Sequence, residues 1–163
     1  MNEAASWDIN WAWSLPLIVV NVIIHVIGLG FINVQVYRML NAAQEHRFFV
    51  YLFALVMGIT VILATILHGI EAGIWAAAYR LLGALPDNRS ALLYSLSAFT
   101  TYGHSEIYLA ANWRLMGALE ALNGVILIGL TTAFMYGMIQ RVWPIERREW
   151  RAPTLSWFRR KSG

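Results

Sequence analysis

Three apolar stretches dominate this chain, at roughly residues 15–40, 48–82 and 113–143. Each exceeds the ~20 helical residues needed to cross a bilayer core. In hydrocarbon an open backbone cannot find hydrogen-bond partners, so such stretches read as spanning helices. Their surplus length is taken up by tilt or by protrusion into water. A fourth apolar run, residues 91–99, is too short to cross as a helix. It reads as a re-entrant segment, tolerated where protein or a water-filled cavity shields its backbone. Composition agrees: only 13% of residues are charged and the mean hydropathy is +0.55, whereas a soluble domain carries about a quarter charged residues. The 163 residues suffice for one ordinary domain. No cysteine is present, which excludes a disulfide framework and thiolate metal sites. The first ten residues are acidic rather than basic and do not read as a signal peptide.

Charge orients the spans. Arg141, Arg147, Arg148, Arg151, Arg159, Arg160 and Lys161 crowd the C-terminal tail, and Arg38 and Arg47 flank the first connection. The N-terminus carries Glu3 and Asp8 and no basic residue. The positive-inside rule then puts the tail and first connection in the cytoplasm and the N-terminus outside, in a multi-pass protein of the cell (inner) membrane. Three crossings satisfy this arrangement, so residues 91–107 must dip in from the outside and return. Trp7, Trp11, Trp13, Trp75, Tyr79 and Trp143 mark the ends of the spans, where amphipathic rings favour the headgroup level. Trp113 suits either that level or a packed position.

Between the short run and the third span lies Thr100-Thr101-Tyr102-Gly103-His104-Ser105-Glu106. An apolar helix, a short dipping helix, a Thr-Thr-x-Gly loop and a second apolar helix resemble the pore domain of the potassium-channel superfamily. The resemblance covers roughly residues 51–142. Within it residues 91–99 look like the pore helix and Thr100-Thr101-Tyr102-Gly103 like the start of the filter. Trp113-Arg114 looks like the mouth of the inner helix, and residues 119–124 and 129–133 like its body. The pattern is similar to that of small bacterial ion-channel-like proteins with one extra N-terminal helix. The first span, with Asn21, His25, Asn33 and Gln35, falls outside the shared unit.

The resemblance implies an all-α membrane protein with three transmembrane helices plus one re-entrant pore helix and filter loop. It implies a homotetramer, because one loop per chain supplies a quarter of a ring and closed cyclic symmetry completes it. The expected division is an outer segment, extra helix and connection over residues 1–47, a pore domain over 48–143, and a basic cytoplasmic tail over 144–163. The implied activity is passive cation conduction. No catalytic residue and no cofactor is expected beyond a monovalent cation, such as potassium or sodium, in the filter.

The filter departs from the family pattern. In a potassium filter, rings of backbone carbonyls replace the ion's hydration shell. Gly103 can adopt the dihedrals this requires, but Ser105 stands at the family's second glycine, where a left-handed conformation is costly. His104 replaces the tyrosine that props the loop open, and imidazole titrates near neutral pH. Tyr102 replaces a small branched residue, so its ring is expected to pack behind the loop. Glu106 replaces an aspartate at the outer mouth. A ring of carboxylates there would concentrate cations; the other reading is an ion pair with Arg114 or Arg89. Thr100 and Thr101 either offer hydroxyl acceptors at the inner entrance or cap the short helix. That helix would aim its partly negative C-terminal end at the cavity.

Gly124 and Gly129 are candidates for an inner-helix hinge or for close packing. Glu120 and Asn123 lie one turn apart inside the third span, where ionisable groups usually face protein or water. They are expected to hydrogen-bond the pore helix. His68 and Glu71, spaced i,i+3, share a helix face and are expected to bond each other or a neighbouring helix. Together these four form the buried polar support.

Two other readings compete. One is a non-conducting or accessory protein on a channel scaffold, since fold does not fix function. The other is a haem- or metal-binding helical protein built on His25, His68, Glu71, His104, Glu106 and Glu120. No second Glu-x-x-His-like motif completes a di-iron bundle. In the tail, Trp143, Trp150 and Trp157 recur among arginines, and Pro144 and Pro153 break a continuous helix. Basic-aromatic pieces on anionic lipid are one reading, and plain topology-setting charge is the other. Nucleic acid is not an expected partner.

Overall fold

The computed structural model describes residues 3–41, 49–103 and 106–142, and among them every regular element is a helix. Four α-helices follow in order: α1 (Glu3–Asn41), α2 (Phe49–Leu81), α3 (Asn88–Phe99) and α4 (Arg114–Val142). A single 3-10 turn, Ala111–Trp113, leads into α4. Stretches of α1, of α2 and of the 3-10 turn continued by α4, spanning Trp7–Met39, Val50–Leu81 and Ala111–Arg141, are long and apolar enough to cross a membrane. The chain therefore has the make-up of a multi-pass membrane protein. Its surface fits: Val19, Ile27, Phe31, Ile62, Val125 and Tyr136 lie exposed along these helices, where lipid or another chain would meet them.

Helix α1 begins well before the apolar run that announces it and continues through Pro16. Around Asn10 the helix is tied by tertiary contacts. Asn10 and Ser14 are buried, and the Asn10 side chain donates to the Asn112 carbonyl at 2.6 Å and accepts from the Met116 amide at 2.9 Å. Asn10 thus caps from another helix one of the backbone donors left open at the start of α4.

The chain stops α2 and starts α3 by local rules. Gly83 takes φ +66°. Its amide bonds the Arg80 carbonyl at 3.2 Å and the Ala84 amide bonds the Tyr79 carbonyl at 2.9 Å, the paired bonds of a Schellman end. Asp87 then caps α3, with an extended backbone and a carboxylate that accepts from the Ser90 amide at 2.9 Å. Bonds from the Ser90 backbone amide and hydroxyl hold the exposed Asp87 carboxyl below the usual carboxylate range. Arg80 ties the two ends together by donating to the Leu85 carbonyl at 2.6 Å and to Asn88 Oδ1 at 2.8 Å.

Helix α3 wedges between α2 and α4, while α1 packs on α2 and α4 from another side; α2 and α4 meet each other much less. Three apolar clusters result among the described residues, the smallest being Ala72, Phe99 and Leu127 at the end of α3. Of the two larger cores, the first joins Trp75, Tyr79, Leu85, Ala91, Leu109, Trp113 and Met116. The other joins Leu29, Ile32, Val36, Phe53, Val56, Leu67 and Met138. Trp75 and Tyr79, expected near the end of their span, are both fully buried in the first of these larger cores and so face protein on α2. Trp113 is buried in the same core. Trp7, Trp11 and Trp13 remain exposed on α1.

Candidate functional site

The end of α3 and the loop after it form the first part of the site. The Thr100 hydroxyl donates back to the Leu96 carbonyl at 2.8 Å, so this threonine caps the helix. The chain then reverses: the Thr101 amide bonds the Ala98 carbonyl at 2.9 Å and the Gly103 amide bonds the Ser97 carbonyl at 3.3 Å. The reversal places Thr101 at φ +58° and Gly103 at φ +75°. Glycine takes this region freely, whereas a β-branched residue there is strained. Residues 100–103 are all exposed. Tyr102, the ring expected to pack behind the loop, is 86% exposed in the single chain, so no described residue of that chain covers it. Glu106 follows in an exposed bend. His104 and Ser105 lie outside the described residues, as do Trp143, Pro144 and the rest of the basic tail.

The α3 end is seated on α4. A Cβ on Gly124 would overlap the Phe99 carbonyl group. Backbone therefore meets backbone at Gly124, and only glycine fits. Gly117 makes a similar approach to the Tyr94 ring. Gly129 has open space around it and is not a packing point within the chain.

A polar junction supports this seat. The Tyr79 hydroxyl donates to Glu120 Oε2 at 2.6 Å. Ser95, on α3, lies in hydrogen-bond contact with Glu120 Oε1 and with the Ala72 carbonyl, the latter at 2.6 Å. All three side chains are fully buried, so Glu120 joins α2, α3 and α4 at one point. Asn123 is fully buried as well, but neither end of its amide has a hydrogen-bond partner among the described residues. The expectation of a bond to α3 thus holds in the structure for Glu120 and not for Asn123.

A second polar junction lies deeper in the bundle. Glu71 contacts His25 Nδ1 on α1 at 2.9 Å and His68 Nδ1 on α2 at 3.0 Å, one carboxylate oxygen to each. The other ring nitrogens converge on Thr131 of α4: its hydroxyl is 3.2 Å from His25 Nε2 and 3.0 Å from His68 Nε2. The four side chains close a ring of contacts across three helices. Sequence reasoning placed His68 beside Glu71 from their spacing but missed Thr131 and set His25 outside the shared unit. Nothing in local spacing links positions 25, 71 and 131. The imidazoles stack side by side, with ring centroids 5.2 Å apart and planes 25° apart. Ligation of one haem by both histidines requires rings on opposite faces of the macrocycle, and these two rings stack directly on each other instead.

No family model, curated protein or solved structure matches the chain.

Proposed function

We propose that the chain is one subunit of a homotetrameric cation channel with a non-standard filter. The observation that carries the reading is the exposed reversal at residues 100–103 at the end of a short helix seated on Gly124. In this reading α3 is a re-entrant pore helix, and its partly negative end favours a cation in the cavity. Carbonyl groups of the loop from four chains line one axis. The uncovered Tyr102 ring packs against a neighbouring subunit. Glu120 holds the pore helix at its correct depth by gripping Ser95 and Tyr79. The N-terminus lies outside, and the C-terminal tail meets the anionic cytoplasmic leaflet.

A second reading, a non-conducting scaffold protein, is favoured by one observation: a ring as large as Tyr102 stands exposed beside the loop, where it can plug the axis. Recording in planar bilayers under opposed potassium and sodium gradients decides between them. The channel reading expects unitary currents from a purified tetramer. A well-folded tetramer that stays silent supports the scaffold, and a folded monomer overturns both.

A further inference from the structure

We propose that His25, His68 and Glu71 bind a divalent transition-metal ion of the zinc class inside the helix bundle. The three offer ligand atoms that all lie within 4.8 Å of one another. His25 Nδ1 and His68 Nδ1 stand 2.9 and 3.0 Å from the two oxygens of Glu71. Nitrogen and oxygen ligands each about 2.0–2.2 Å from one zinc ion stand roughly 3 Å apart from each other. Two histidines and one glutamate are a zinc donor set that leaves a position open. The stacked rings turn their Nδ1 edges toward the same carboxylate.

The far sides of the rings are arranged as outer-shell partners of a metal are. A metal-bound imidazole normally gives its other N–H to a fixed acceptor, which sets its tautomer and orientation. Here both Nε2 atoms reach the Thr131 hydroxyl, whose oxygen has two lone pairs and can accept from both.

Counting hydrogens favours an ion. The closed ring has four contacts, and each needs one hydrogen. An ionised Glu71 supplies none, two neutral imidazoles supply one each, and Thr131 supplies one. Three hydrogens cannot fill four contacts, so two lone pairs are left facing each other in a buried site, which is costly. A cation among both Nδ1 atoms and the carboxylate removes the conflict. It replaces two hydrogen-bonded contacts, and both imidazole hydrogens then sit on Nε2 and point at Thr131. It also supplies a counter-charge to a carboxylate inside an apolar bundle. One additional proton would fill the fourth contact too, and that is the competing outcome.

His25 and Glu71 are fully buried, whereas the His68 side chain is 19% exposed, so the cluster meets the surface of the chain at His68. One side of that ring packs on Phe99, at 5.4 Å between centroids. Bound metal would fasten α1 to α2 directly and, through Thr131, to α4.

The test uses purified full-length protein, stripped with a chelator and titrated with Co²⁺ and then Zn²⁺. The expected result is one Co²⁺ per chain, with visible ligand-field bands of low coordination number that Zn²⁺ abolishes, and a Tm that rises with Zn²⁺. His25→Gln and His68→Gln should each remove the bands while keeping the wild-type helical circular dichroism and elution volume. His68 is the safer variant for folding because it is partly exposed. Thr131→Val should weaken binding about tenfold without abolishing it. These readouts need no ion current, so they stand or fall separately from the channel reading. Folded wild-type protein that takes up no Co²⁺ at millimolar concentration overturns the proposal and leaves the cluster to a proton. Uptake that persists unchanged in both histidine variants overturns it equally, because the ion then sits elsewhere.

Discussion

The Tyr79 hydroxyl donates to Glu120 across 2.6 Å in the interior of the bundle, and Glu120 reaches on to Ser95 of α3. This one carboxyl group therefore couples the position of the short helix to both long helices beside it. Removing the Tyr79 hydroxyl leaves a buried acceptor short of a donor, which costs about 1–3 kcal/mol. Tyr79→Phe should lower the Tm in detergent accordingly. Glu120→Ala should lower it further, since it strands the buried Tyr79 hydroxyl, unties Ser95 from α4 and opens a cavity. Glu120→Gln, which keeps an acceptor for Tyr79 and a group of similar size, should be the mildest. Equal stability of the wild-type and Tyr79→Phe proteins would show that the bond contributes nothing.

Gly124 and Gly129 should separate sharply on substitution. At Gly124 an added methyl meets the Phe99 backbone, and a backbone cannot swing aside as a side-chain tip can. Overpacking of this kind costs about 1–3 kcal/mol, and here it also displaces α3. Gly124→Ala should reduce Tm and, in the channel reading, tetramer yield by native mass spectrometry. Gly129→Ala should fold normally, because the methyl meets nothing within its own chain. Indistinguishable behaviour of the two variants would remove Gly124 as the seat of α3.

Assembly and orientation are open to direct measurement. A membrane-impermeant label should reach a cysteine at Asn2 from outside and one at Ser162 only from the cytoplasmic side. The chain in nanodiscs should be a tetramer. Both ends labelled from one side would mean an even number of crossings.

In the channel reading, the departures at His104 and Ser105 predict a pH-dependent conductance. An imidazole ordinarily titrates at about 6.5, so lowering the pH through that range would place up to four positive charges at the mouth of a tetramer and reduce cation current. His104→Tyr with Ser105→Gly should abolish that dependence and raise the preference for potassium over sodium. A natural protein already strongly potassium-selective, with a current independent of pH, would show that Ser105 takes the filter geometry despite its side chain.

Asp87 gives a stability prediction with a definite sign. Its folded pKa lies below the ordinary carboxylate value because the ionised group caps α3. The cap's contribution is present above the unfolded pKa and is lost as the pH falls through the folded one. Asp87→Ala should therefore lower the Tm at neutral pH and make no difference at strongly acid pH. A Tm gap that persists undiminished in acid would assign the effect to something other than the cap.

Much of this architecture is legible along the chain. Length and hydropathy mark the apolar spans of α1, α2 and α4 because a bilayer-length helix needs a continuous apolar stretch. The Asp87 cap and the Gly83 end of α2 are local signals, set by residues within one turn of each other. The positive φ at Gly103 is one the residue type permits, whereas that at Thr101 is not foreshadowed by its side chain.

What the folded chain alone decided is which buried polar atoms find each other. Asn10 meets Met116, His25 meets Glu71, and both histidines meet Thr131, across separations of 106, 46, 106 and 63 residues. Each pairing depends on the rotation and depth of one helix against another. An evenly apolar helix has no marked face to fix that rotation in advance, as the burial of Trp75 and Tyr79 also illustrates. The cost of an unpaired polar group in an apolar interior favours such meetings. Only packing of the helices selects the partner, because the free energy that chooses among rotations is shared by all the contacts at once.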